Sequence, residues 1–318
     1  MKIIVLKFGG TSVGSLNKIQ KVARIITSYA KKKFKVIVVS SAMSGVTNDL
    51  LSKTRKISPN FPSDEKDVIL STGEQISCAL IAGKLNDLGY KSRSWLGWQV
   101  PIITRGNYNA SRIIRIQKNK ILNYLKKGGI PIITGFQGIN SDFRITTLER
   151  GGSDTSAILC AKFFKAEKCI IYTDVDGVYT TDPNKLKKAK KIKMISYEEM
   201  LEMASLGAKV MQPVSIQDAR LERIDIEVKS SFVKRSGTLI TKKSNIDDTL
   251  DVFPSHGIGG IVGMVLTAVF ANNVGIIHGD STVFFYHLIT ILITIVFTLL
   301  VSYFLFKIVD SVDTVNFE

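Results

Sequence analysis

Ile3-Ile4-Val5-Leu6-Lys7-Phe8-Gly9-Gly10-Thr11-Ser12 is an apolar run that breaks at two glycines. Such a run, bounded by a turn signal, predicts a buried strand over Ile3–Phe8 leading into a tight turn. Apolar residues at helical spacing follow (Ile19, Val22, Ala23, Ile26) and predict a helix over Asn17–Lys31. Glycines at the end of a strand let the backbone approach a phosphate, and amides at a helix start point towards it. Lys7 would add a positive charge there. The pattern is not a Walker A loop, because Gly83-Lys84 lacks the earlier glycine and the following Ser or Thr.

The same alternation continues outward from this unit. Lys35–Ser40, Ile130–Gly135 and Lys168–Thr173 read as buried strands, and Ile224–Val228 and Thr238–Thr241 as late ones. Helices are expected over Asp64–Leu88 (one or two), Ser111–Lys127, Ser153–Phe164, Ser196–Met203 and Ala208–Arg220. Alternating strands and helices specify an α/β fold with a mostly parallel sheet.

Charge divides the chain. Residues 244–318 hold seven acidic residues and one basic residue, Lys307, for a net −6; residues 1–243 carry +22. The basic residues of the body are scattered and no aromatic ladder interleaves them, so no nucleic-acid partner is read here. They form a solvated surface that also attracts anions. Cys78, Cys160 and Cys169 sit in apolar contexts without metal spacing and read as buried small hydrophobes. No metal-ligand set is evident.

Several loops carry polar groups at strand ends or helix starts. Ser40-Ser41-Ala42-Met43-Ser44-Gly45-Val46-Thr47 follows the second strand, and Gly73-Glu74-Gln75 brings a carboxylate. Arg150-Gly151-Gly152-Ser153-Asp154 is a second glycine turn before a helix. An acid-rich loop, Thr173-Asp174-Val175-Asp176-Gly177-Val178-Tyr179-Thr180-Thr181-Asp182-Pro183, follows a later strand. Open parallel sheets collect ligands at the carboxyl ends of their strands. All three histidines lie beyond residue 243, so the body has no Ser-His or Cys-His nucleophile pair. Phosphoryl transfer to a carboxylate needs neither: that acceptor is ionised at neutral pH, with an ordinary pKa of about 3.9. Its difficulty is repulsion between anions, which lysine, amides and Mg²⁺ relieve.

In order and spacing, Lys7–Val13, Ser41–Thr47, Gly73–Gln75, Arg150–Ala157 and Tyr172–Pro183 resemble the catalytic domain of aspartokinases, over residues 1 to about 243. The resemblance implies an amino-acid kinase three-layer sandwich. It implies transfer of the ATP γ-phosphoryl group to the side-chain carboxylate of L-aspartate, with Mg²⁺. Lys7 would stabilise the moving phosphoryl group, with Gly9 and Gly10 around the phosphates. Glu74 would hold the aspartate amino group, Ser41 and Thr47 would line the aspartate pocket, and Arg150 would clamp a substrate carboxylate beside Ser153. Asp154 would orient Lys7. Thr173, Asp174, Tyr179, Asn184 and Lys209 would contact the nucleotide. Two residues depart from the family pattern. Glu149 replaces a glycine before Arg150, and Asn184 replaces a frequent arginine. The ACT modules that usually follow the kinase domain are not evident.

Residues 244–255 read as a linker. Overlapping its end, Asp247–Gly260 resembles a signature of the ammonium transporter family, with His256 matching a pore histidine in position. Two membrane helices are expected, over 257–277 and 283–309, as a C-terminal transmembrane hairpin; the second is long and uncharged before Lys307. The body would then lie in the cytoplasm, tethered to the inner membrane by the tail. Two alternatives stand beside an active kinase: a membrane protein associated with an ammonium transporter, and a non-functional fusion of two gene fragments.

Overall fold

The computed structural model describes residues 2–183, 185–208, 210–242, 259–270, 276–278 and 281–313. The chain divides into two compact units, Met1–Asp247 and Asp248–Glu318. The expected linker, 244–255, and His256 lie outside the described residues.

In the first unit, β1 (Ile3–Phe8), β2 (Lys35–Ser40), β6 (Ile130–Thr134), β9 (Lys168–Thr173) and β11 (Ile226–Ser230) are the inner strands of one sheet. β3 (Ser92–Trp95) closes one edge, while β12 (Thr238–Thr241) and β10 (Met194–Ser196) close the other. The order is β10-β12-β11-β9-β1-β2-β6-β3. All neighbours are parallel except β11 and β12.

Every residue of β1 is buried, because both faces of the sheet are covered. Alternation along the strand sends Ile4, Leu6 and Phe8 to one face and Ile3 and Val5 to the other. The first face meets α1 (Leu16–Lys31) and α3 (Ser63–Asp87), through Val22 and Ile26 of one and Cys78 and Ile81 of the other. The opposite face meets α4 (Asn119–Lys126), α5 (Gly152–Phe163), α6 (Tyr197–Ser205) and α7 (Pro213–Glu222). Helices on both faces of a mostly parallel sheet make the expected three layers. Local signals set the helix starts: the Ser15 hydroxyl accepts from the Lys18 amide, and Ser196 and Glu199 form a reciprocal capping box.

A smaller sheet, in the order β5-β4-β7-β8, comprises β4 (Ile102–Arg105), β5 (Arg112–Ile116), β7 (Gln137–Ile139) and β8 (Ile145–Thr147). The buried Asp67 of α3 fastens it. Its carboxylate accepts from the Thr147 amide at 2.8 Å, the Thr147 hydroxyl at 2.6 Å and the Asn109 amide at 3.0 Å. Burial raises the Asp67 pKa even against these hydrogen bonds.

The expected helix over Ser111–Lys127 is instead β5 followed by α4. Ile113 and Ile116 fit either period, but pairing with β4 across a bulge fixes the first half as a strand. The helix expected from Ala208 begins at Pro213, whose ring suits the first helical position after the extended Gln212. α2 (Val46–Ile57) had no sequence counterpart.

The second unit contains α8 (Gly259–Phe270), a short 3₁₀ turn at Ile276–His278, and α9 (Thr282–Asp313). α8 packs on α9, where Nδ1 of His287 lies 3.2 Å from the Met264 carbonyl. Of the two expected spans, only α9 is long and apolar enough to cross a membrane among the described residues, over Thr282–Leu305. The described part of α8 has twelve residues, about 18 Å, and residues 257–258 and 271–275 of the expected first span lie outside the described residues.

Candidate functional site

β1 and β2 end side by side, and their loops are knitted by backbone bonds. The Gly9 amide donates to Tyr172 O at 3.1 Å, Ser41 N to Phe8 O at 3.0 Å, and Ser44 N to Gly10 O at 3.1 Å. A Cβ on Gly10 would stand 2.9 Å from the Ala42 carbonyl oxygen, so only glycine lets these loops meet without a shift. Lys7, between Val5 and the turn, shares the face of β1 that looks onto α5. Its Nζ lies 2.5 Å from Oδ1 of Asp154 in the first turn of that helix. Gly151 caps α5 at φ +85°, and a Cβ there would stand 2.7 Å from Cβ of Gln212. The glycine turn therefore serves both conformation and packing, and the amides at the helix start fold back on it, Gly152 N donating to Glu149 O at 2.9 Å and Asp154 N to Gly151 O at 2.8 Å.

Glu74 arrives from α3. Gly73 lets that helix press on the loop after β2, since a Cβ there would be 2.7 Å from Cβ of Ala42. The Glu74 carboxylate is 3% exposed; Oε1 accepts from the Ala42 amide at 3.0 Å, while Oε2 is buried without a hydrogen-bond partner among the described residues. Burial raises the Glu74 pKa to about 7, and the Ala42 amide only partly opposes it.

Lys7, Gly10, Ser41, Thr47, Glu74, Arg150, Ser153 and Asp154 line one cavity of about 460 Å³. Gly9 underlies it without entering the wall. The structure thus brings together the residues expected at the catalytic and substrate positions. Arg150 is exposed and makes no salt bridge among the described residues, leaving its guanidinium open to an anion. Met43, Ser44, Gly45, Asn48 and Phe136 also line the cavity and were not singled out from the sequence. Asn48 stands next to Thr47 on the same helix start, so the motif could have been read one residue further. Glu149 is exposed, lies outside this cavity, and is not among the residues with positive φ. It lines a neighbouring pocket with Arg112 and Asp218. The departure from glycine there strains neither the backbone nor the cavity.

The residues expected on the nucleotide follow β9, the neighbour of β1. Phe8 pairs with Tyr172, so Thr173, the last residue of β9, lies beside Gly9. The Thr173 hydroxyl donates to Asp174 at 2.9 Å, and the Tyr179 hydroxyl donates to Asp176 at 2.8 Å. Asp176 also accepts from Lys191 at 3.1 Å. Burial would raise its pKa, but these hydrogen bonds and the Lys191 charge leave it lowered. Gly177, at φ +146°, would bring a Cβ within 2.6 Å of the Thr238 hydroxyl, and so pins this loop to β12. Thr173, Asp174 and Tyr179 do not line the Lys7–Glu74 cavity; they sit on the adjoining strand end. Asn184 and Lys209 lie outside the described residues.

A cavity beside two glycine turns, holding a buried lysine and a carboxylate oxygen with no hydrogen-bond partner among the described residues, is the candidate active site of this α/β fold. The chain belongs to the amino acid kinase family, whose profile matches residues 2–230. The profile of the ammonium transporter family matches residues 228–316. The chain is 46% identical over 252 residues to an aspartokinase of Geobacillus stearothermophilus, covering 79% of this chain and 62% of that one. It thus spans about three-fifths of that relative's length. Among solved structures it resembles an aspartate kinase from Synechocystis, with TM-score 0.67 and 41% identity over 76% of this chain and 40% of that one. It also resembles E. coli aspartokinase III in complex with aspartate and ADP, with TM-score 0.68 and 27% identity over 83% of this chain and 74% of that one.

Proposed function

We propose that the chain transfers the γ-phosphoryl group of ATP to the side-chain carboxylate of L-aspartate, giving 4-phospho-L-aspartate and ADP. The observation that carries this reading is Glu74: a buried carboxylate with one oxygen unpaired, in the wall of the cavity that also holds Lys7 and Arg150. An amino acid supplies what each lacks. Its ammonium group would pair with Glu74, and its α-carboxylate with Arg150. Its side-chain carboxylate would then face the glycine turn.

The chemistry requires little proton movement. The acceptor oxygen is already anionic; it bonds to the γ-phosphorus as the bond to the bridging oxygen breaks, and ADP leaves with that electron pair. Lys7 would offset charge on the transferring group, Asp154 would hold its ammonium in place, and the Gly10 amide would donate to a phosphate oxygen. Gly9, Thr173, Asp174 and Tyr179 would carry the rest of the nucleotide, with Asn184 and Lys209. Ser41, Thr47 and Ser153 would complete the aspartate pocket.

Mg²⁺ would neutralise the β- and γ-phosphate charge when bound. Among the described residues no group of three His, Cys, Asp or Glu side chains forms a metal cage. That donor set suits an ion carried in on the nucleotide phosphates, with Asp154 the nearby carboxylate. The test is ATP-dependent formation of an acyl phosphate by the full chain in neutral detergent, trapped with hydroxylamine. Hydroxamate that appears only with L-aspartate supports the reading. A folded chain that binds ATP yet yields none overturns it.

The tail fits a membrane anchor. Thr282–Leu305 is long, apolar and uncharged, and a transporter family profile matches the region that contains it. Retention in the membrane fraction after alkaline carbonate washing supports anchoring, and release into the supernatant argues against it. Co-purification with a full-length ammonium transporter would favour the transport-associated role over a simple anchor.

A further inference from the structure

We propose that a second cavity, on the α1 side of the large sheet, binds an anion that carries a phosphate monoester or diphosphate. It measures about 680 Å³ and shares no wall residue with the Lys7–Glu74 cavity. Six cations border it: Lys21 and Arg24 from α1, Lys32 at its C-cap, and Lys229, Lys234 and Arg235 from the end of β11 and the loop after it.

Their arrangement differs from a scattered basic surface. Lys21, Arg24, Ser28 and Lys32 follow helical spacing down one stripe of α1 and its C-cap, and α1 contains no Asp or Glu to lace that stripe with ion pairs. Glu227 pairs with Lys229 at 2.7 Å, and Asp176 lies 3.8 Å from Arg235. Among the described residues, Lys21, Arg24, Lys32 and Lys234 make no salt bridge; Lys32 rests only over the Tyr29 ring. Converging like charges without counter-ions raise the energy of the folded chain, and a bound polyanion relieves it.

The inner wall adds a neutral donor: the Tyr29 and Tyr172 hydroxyls pair at 2.9 Å, and that pair uses only one of their two O–H groups. Several cations with a neutral donor behind them is a donor set that holds phosphate oxygens by charge-assisted bonds. The cavity also touches the reaction side of the sheet, because the Ser231 hydroxyl donates to the Ser12 hydroxyl at 2.8 Å, next to the glycine turn.

The test is titration calorimetry of the full chain in neutral detergent micelles with inorganic pyrophosphate. Lys7→Ala, which removes the lysine of the other cavity, is the background, and two pairs of substitutions are added to it: K21Q/R24Q in this cavity and K126Q/K127Q at exposed lysines closing α4. Saturable binding in the Lys7→Ala background that K21Q/R24Q weakens about tenfold or more, while K126Q/K127Q leaves it unchanged, is the expected result. Equal weakening by K126Q/K127Q overturns the proposal, as does the absence of saturable binding in Lys7→Ala alone. Displacement of pyrophosphate by dihexanoyl phosphatidate identifies a lipid headgroup as the source of the phosphate; no displacement identifies a free small molecule.

Discussion

Nζ of Lys7 and Oδ1 of Asp154 lie 2.5 Å apart, with each side chain about one-tenth exposed. Two sequence features bring them together. Odd positions of β1 face α5, and the glycine pair at 151–152 starts α5 so that Asp154 falls in its first turn. A lysine held this way has its ammonium fixed at the cavity wall, with little freedom left to lose when phosphate arrives.

Asp154→Asn should therefore lower kcat by roughly 10- to 100-fold and leave the KM for aspartate nearly unchanged. Lys7→Ala should cost about 10³-fold. Because Asp154 acts through Lys7, the double variant should be no worse than Lys7→Ala alone. Multiplicative losses in the steady-state kinetics would show that the two act independently.

Under the proposed function, Glu74 should make aspartate binding depend on pH. With a pKa of about 7 in the free chain, it is half-protonated near neutrality and cannot then attract an ammonium group. The kcat/KM for aspartate should rise with pH up to about 7 and flatten above it, and Glu74→Gln should abolish that limb. Stability should move the other way. Between the unfolded value of 4.5 and the folded value of about 7, the folded chain keeps a proton that the unfolded chain has lost. Stability therefore falls as pH rises through that window, by up to about 3 kcal/mol. Glu74→Gln should unfold at a higher temperature than the parent chain at pH 8 and close to it at pH 4; a lower melting point at pH 8 would contradict the desolvation argument.

The strands that build the site were legible in the sequence because they are buried on both faces. Ile3–Phe8 and Lys35–Ser40 read as mostly apolar, β-branched runs, and their bounds agree with the structure. The smaller sheet was not legible. Its strands are short, and β5 is half exposed, with Arg112, Ile114 and Arg115 facing out. Only pairing with β4 decides its state. The residues that share the Lys7–Glu74 cavity were legible through motifs, but Asp67 was not. It lies inside an α3 pattern of mixed polarity, and its partners Thr147 and Asn109 are distant in sequence.

Asp67→Asn should destabilise the chain by about 2–4 kcal/mol, because an amide group would oppose backbone donors that the carboxylate now receives. Asp67 does not line the Lys7–Glu74 cavity, so kcat of the folded fraction should change less than about threefold. Thermal melting and initial rates measured on one preparation would separate the two effects. A large fall in kcat without a fall in melting temperature would assign Asp67 to the reaction.

Gly73→Ala tests how Glu74 is positioned. The new methyl would stand 2.7 Å from Cβ of Ala42, closer than two such carbons can approach. Either α3 or the loop after β2 must yield, at a cost of about 1–3 kcal/mol. That movement breaks the Ala42–Glu74 hydrogen bond and shifts the carboxylate from the cavity wall. The KM for aspartate should rise well above that for ATP, since the Lys7–Asp154 pair lies on the other face of β1. An equal rise for both substrates would mean that the glycine turn moved as well.

Glu149→Gly restores the residue usual in the resembling family and should change little. Glu149 is exposed, outside the substrate cavity and free of positive φ. Its carboxylate faces a neighbouring pocket that also holds Arg112. Removing it takes away no contact with the cavity, so kcat/KM for both substrates should stay within about threefold of the parent value. Added backbone freedom from the glycine should cost no more than about 1 kcal/mol of stability. A gain in activity beyond tenfold would show that the Glu149 charge reaches the phosphates despite its outward position, and that the negative charge beside Arg150 restrains the reaction.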